Sequence, residues 1–132
     1  MKRTAAVLSA VAVLAAALTA CSSSDSSDSS EDKPAAPPYK ITKQDTSGNQ
    51  RQVTVEVSST KDLRAVFDDV ADKLTDEAGY FVQINCTTGG TKAADNRLAN
   101  GKKAVGPVGA ASTGLDDGKT EYEAQAGAKC PA

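Results

Sequence analysis

Leu63-Arg64-Ala65-Val66-Phe67-Asp68-Asp69-Val70-Ala71-Asp72-Lys73-Leu74 is the stretch on which the fold turns. Leu63, Val66, Phe67, Val70 and Leu74 fall at i, i+3, i+4, i+7 and i+11, so a helix gathers them into one apolar stripe. Asp68, Asp69, Asp72, Asp76 and Glu77 fall on the other side and are expected to form a solvated face. Ser59 or Thr60 is expected to cap the amino end, with Asp62 three residues after Ser59 as in a capping box. Gly79 is expected to end the helix in a left-handed conformation.

Strand patterns lie on both sides of this stripe. Upstream, Val53, Val55 and Val57 alternate with Thr54 and Glu56, the pattern of a half-buried strand. Tyr39 to Lys43 alternates more weakly, and the turn formers of 45–49 are expected to join the two as a hairpin. Downstream, Tyr80, Val82, Ile84 and Cys86 share one face of a strand, with Phe81, Gln83 and Asn85 on the other. Asn100-Gly101 predicts a two-residue hairpin turn between 97–99 and 102–105. Asp117-Gly118 predicts a turn into Thr120 to Ala126, where Tyr122, Ala124 and Ala126 alternate with Glu121, Glu123 and Gln125. The order β-β-α-β-(β)-β predicts a small α+β domain over residues 39–132, with one amphipathic helix on an antiparallel or mixed sheet.

Within that domain, 14 of the 19 large apolar side chains precede residue 87, whereas eight of the ten Gly follow it. The core is therefore expected in 39–86, with a loop-rich remainder packed onto it. The whole chain has 132 residues, 15 Lys+Arg against 17 Asp+Glu, three Cys and no His. Without His, Ser-His-Asp and Cys-His catalysis and imidazole metal sites are excluded. The near-neutral charge argues against a nucleic-acid binder, which needs a concentrated basic face.

The amino-terminal 20 residues carry an address. Met1-Lys2-Arg3 is basic, and the 14 residues from Ala5 to Leu18 are apolar except Ser9. Such a run falls short of the roughly 18 residues that span a bilayer and fits a signal-peptide core. It ends in Leu18-Thr19-Ala20-Cys21, which resembles the lipobox of bacterial membrane lipoproteins. The resemblance covers residues 1–21 and implies cleavage before Cys21 and lipid attachment to its thiol. At roughly 0.8 kcal/mol per buried methylene, two or three chains hold a protein durably at a membrane. The protein is then expected at the extracytoplasmic face of the cell membrane. Residues 22–38, with seven Ser, four acids and three Pro, bury too little to offset their ordering entropy and are expected to be a disordered tether.

With Cys21 assigned to lipid by that resemblance, Cys86 and Cys130 are the remaining pair. The oxidising compartment predicts a disulfide that ties the Gly-rich part onto the core. The Cys86-Thr87-Thr88-Gly89-Gly90 and Asn96-to-Gly101 runs are similar to small exported actinobacterial proteins, a resemblance that implies class and no mechanism.

Several motif look-alikes fail on chemistry. Gly114 to Thr120 has three residues between its glycines where a phosphate loop needs four. Ser58-Ser59-Thr60-Lys61 has Ser-x-x-Lys spacing without the accompanying Ser-Asp-Asn or Lys-Thr-Gly, and helix capping explains it better. Asp116-Asp117-Gly118 lacks the alternating oxygen ligands of a calcium loop. No metal or cofactor is expected.

One polar segment could hold a ligand. Backbone N–H groups around Thr87, Thr88, Gly89 and Gly90, with Lys92 and Arg97 near, suit an anion or glycan, although a structural loop closed by the disulfide is the simpler account. The function expected is a non-catalytic binding or interaction module whose partner is an envelope protein or glycan. The alternatives are a small envelope hydrolase using carboxylates such as Asp95, Asp116 or Glu121, or an inhibitor of an exported enzyme.

Overall fold

The computed structural model describes residues 33–131, which form five strands and two helices. In chain order these are β1 (Tyr39–Gln44), β2 (Gln50–Val57), α1 (Leu63–Lys73), β3 (Ala78–Cys86), β4 (Asn96–Val105), α2 (Gly106–Thr113) and β5 (Thr120–Ala124). The sheet is mixed, with spatial order β1-β2-β3-β4-β5. Only β2 and β3 run parallel, as the α1 crossover between them requires; the other pairs are antiparallel.

The apolar stripe of α1 lies on one face of this sheet, where Val53, Val55, Val57, Tyr80, Val82 and Ile84 are buried with Val66, Phe67 and Val70. Lys103 belongs to the same face but reaches its ammonium to the carbonyl of Ala71 at 2.6 Å, near the negative end of the helix. The acidic side of α1 is neutralised locally. Asp68 pairs with Arg64, Asp69 with Lys73, Asp72 with Lys33 and Asp76 with Arg51. Residues 33–38, assigned above to the tether, lie along α1: Lys33 bonds Asp72 at 2.6 Å and Ala36 packs against the core. The signal sequence, Cys21 and the rest of the tether lie outside the described residues.

Three local expectations are corrected. The N-cap of α1 is Asp62, at φ 53 and without a side-chain cap bond, whereas Ser59 Oγ accepts the N–H of Lys61 before the helix begins. The helix ends at Leu74 in an extended conformation, and Gly79 lies inside β3. Asn100-Gly101 is not a turn: β4 runs unbroken from Asn96 to Val105, and Phe67 packs against Gly101 in the middle of it. A Cβ there would approach Phe67 Cε2 to 2.1 Å. The ring, completed by Tyr122 at a centroid distance of 5.6 Å, occupies the place of a side chain.

The second helix, which sequence periodicity does not announce, sits on the opposite face of the sheet. Gly109 approaches the Ala78 carbonyl, and Ser112 and Thr113 stand over Gly79. Pro in its first turn and Gly114 at φ 75 after its last are ordinary boundary residues. The expected disulfide is present: Cys86 at the end of β3 joins Cys130, with Cα atoms 5.4 Å apart.

Candidate functional site: the uncovered sheet face

Strand alternation gives the sheet a second face, and α2 covers only its Gly79–Ala104 end. Among the described residues, neither helix covers the rest. Its side chains form three rows across the strands. Gln52, Phe81, Lys102 and Glu121 make the first; Lys43, Thr54, Gln83, Asn100 and Glu123 the second; Lys40, Glu56, Asn85 and Arg97 the third.

Arg97 organises this face. Its Nε donates to Asn85 Oδ1, one terminal nitrogen to Asn100 Oδ1 and the other to Gln83 Oε1, each at 2.6 Å. A guanidinium carries five N–H donors and no acceptor, so the amide oxygens must face it and their NH2 groups must face away. Asn85, 3% exposed, passes its NH2 on to Asp95 Oδ2 at 3.1 Å. Burial lowers the pKa of Arg97 from the usual guanidinium value, and the charge of Asp95 opposes that shift. The group stays cationic. No carboxylate among the described residues forms an ion pair with it; Lys102, by contrast, pairs with Glu121 at 2.9 Å.

Beside this cage lies a hollow of about 220 Å³, bordered by Phe81, Lys102 and Glu121 on one side and Gln83, Asn100 and Glu123 on the other. That volume is below the ~300 Å³ at which drug-sized sites begin, so it accommodates a small ring and little more.

The polar loop singled out in the sequence is arranged differently. Thr88 Oγ1 donates to the Pro131 carbonyl, Thr91 Oγ1 accepts from the N–H groups of Ala93 and Ala94, and Asn96 Nδ2 donates to the carbonyls of Thr88 and Lys129. Gly89 adopts φ 78 and packs on Pro131. Thr87, Thr88, Gly89, Gly90 and Lys92 therefore share the disulfide-closed end of the domain, whereas the Arg97 guanidinium turns from that loop onto the sheet face.

The carboxylates named for acid–base chemistry do not converge. Asp95 precedes β4, whereas Asp116 sits in the turn beyond its other end, roughly 30 Å away along a ten-residue strand. Glu121 is held by Lys102, about 20 Å along β4 from Asp95. Among the described residues no group of three or more His, Cys, Asp or Glu is placed to hold a metal ion. In the look-alike calcium loop, Asp117 accepts the N–H of Gly106 at 2.7 Å.

Gln83, Asn85, Asn100 and Lys102 were missed as a set. Reading Asn100-Gly101 as a turn broke the strand that aligns them. The available signal was the polar residues at 97, 100 and 102 opposite polar residues at 81–85. Compared with family models, with curated proteins and with solved structures, the chain matches none. The chemistry of the face therefore carries the functional argument.

Proposed function

We propose that this protein is a lipid-anchored, extracytoplasmic binding module that uses the uncovered sheet face as its binding surface. The observation that carries the reading is Arg97, a cation pinned by three amides on an open face with no ion-pair partner among the described residues. A side chain with about 2 kcal/mol of rotamer entropy is thereby immobilised in advance, which is the condition for economical recognition. The spread of Asp95, Asp116 and Glu121 favours binding over two-carboxylate hydrolysis.

The anchor part of the reading rests on Leu18-Thr19-Ala20-Cys21. The chain enters the domain along α1, where Lys33 meets Asp72, on the side opposite the uncovered face. An anchor joined there leaves that face clear.

Two experiments test the two parts. The Cys21→Ser protein should lose membrane retention on cell fractionation; unchanged retention contradicts the anchor. A photoreactive residue at Thr54, in the middle row, should give a discrete adduct in intact cells that the same residue at Asp72 on α1 does not. The same adducts from both positions would overturn the assignment of the face.

A further inference from the structure

We propose that the uncovered face binds a sugar carrying one carboxylate, with the anionic group on Arg97 and the ring in the hollow over Phe81. The inference deepens the reading above and rests on this face being the binding surface.

Charge sets the first limit. Across the whole face three carboxylates, Glu56, Glu121 and Glu123, meet four cations, but Lys40 and Lys43 stand on β1, two strands from the hollow; within β3–β5 Arg97 and Lys102 face Glu121 and Glu123, and Lys102 is already paired with Glu121. Around the hollow a second anionic group would therefore meet Glu121, Glu123 and, beside Arg97, the charge of Asp95, whereas a single negative charge fits Arg97, the one cation of β3–β5 on this face without an ion pair among the described residues. Three of the five guanidinium N–H groups are committed to amides, which leaves one on each terminal nitrogen for an incoming oxyanion.

The second limit is the pattern of donors and acceptors. Because Arg97 takes the oxygens of Gln83 and Asn100, both present NH2 donors outward, beside the hollow. Glu123, opposite Asn100 in register, is an acceptor without an ion pair among the described residues. A hydroxyl is both donor and acceptor, so neighbouring amide donors and a carboxylate acceptor match adjacent hydroxyls. Phe81 supplies the floor: a half-exposed aromatic ring on an otherwise polar face suits the C–H face of a small saturated ring. Acid, hydroxyls and apolar ring face together describe a sugar acid.

The test is a titration of the isotopically labelled full chain, followed by NMR, with glucuronate, glucose, acetate and inorganic phosphate. Glucuronate should shift the side-chain amide signals of Gln83 and Asn100, and both glucose and acetate should bind at least about tenfold more weakly. Arg97→Lys keeps the charge but loses the fork, and should weaken glucuronate binding by about tenfold or more. Phe81→Ala, at a half-exposed position, serves as a second variant whose folding does not depend on the Arg97 cage and should weaken the sugar more than acetate. Glucuronate that leaves these signals unmoved overturns the proposal, as does acetate or phosphate binding equal to glucuronate. The crosslinking at Thr54 is unaffected by that failure, so the binding face and the identity of its ligand stand or fall separately.

Discussion

At the scale of single residues, Gly101 and Phe67 explain most of what the sheet looks like. Asn100-Gly101 has the composition of a hairpin turn, and local chemistry alone points that way. The packing of a fully buried Phe67 ring on Gly101 overrides it, because only a residue without a Cβ lets the ring reach the sheet. Gly101→Ala should therefore cost about 1–3 kcal/mol in urea unfolding, the range for an overpacked core. Adding Phe67→Leu should recover part of that loss, since the two sites touch. A Gly101→Ala protein as stable as the parent would show that the ring does not sit there. The same unbroken strand aligns Arg97 with Asn100, an alignment that a turn at Asn100-Gly101 would break.

Elements differ in how plainly the sequence declares them. The period of α1 is legible because its core contacts are large and evenly spaced; β2 and β3 are legible from alternation for the same reason, whereas β5 buries only part of Tyr122 and is legible from the Asp117-Gly118 turn and the Glu121-Tyr122-Glu123 alternation. By contrast α2, Gly-Pro-Val-Gly-Ala-Ala-Ser-Thr, has no apolar stripe because it docks through close backbone approach rather than bulky side chains. A Cβ at Gly109 would lie 2.4 Å from the Ala78 carbonyl oxygen, which cannot move aside within β3. Gly109→Ala should lift α2, and hydrogen exchange should show lost protection in 106–113 while α1 keeps its own. Uniform loss across both helices would refute so local a role.

On α1, Asp69 accepts from Lys73 at 2.8 Å and also from the Tyr39 hydroxyl, and these bonds, Lys73 first, hold its pKa below the ordinary carboxylate value. A depressed folded-state pKa means stability that is complete above the unfolded value, about 3.9, and lost as pH falls through the folded one. The Asp69 side chain is 42% exposed, so solvent screening keeps the effect small. Asp69→Asn should flatten the fall in melting temperature below about pH 4, while an unchanged acid limb would assign that fall to other groups.

The whole molecule depends on a covalent tie. Its second half is poor in large apolar side chains, and residues 125–131 form no strand or helix, yet Cys130 reaches Cys86 across a separation of 44 residues. This pairing was legible by compartment and arithmetic once Cys21 was set aside. In the chain-entropy account the closed loop contributes up to about 4 kcal/mol. Replacing both Cys86 and Cys130 by Ser should lower the melting temperature by roughly 10 °C or more, given ~4–8 °C per kcal/mol for a domain of this size. A melting temperature indifferent to reductant would contradict that role. The sheet edges are guarded: β1 carries Lys40, Lys43 and a register shift after Ile41, and β5 is five residues long with Glu121 and Glu123. These features disfavour recognition by strand addition, in keeping with the proposal that the face rather than an edge receives a partner.

That claim is tested most directly by carboxyl labelling of the protein in intact cells and after purification. The account predicts that Glu56 and Glu123 on the uncovered face are protected in cells relative to the purified chain, while Asp72 and Asp76 along α1 label equally in both states. Equal labelling of the sheet-face carboxylates in the two states, or protection confined to α1, would contradict it.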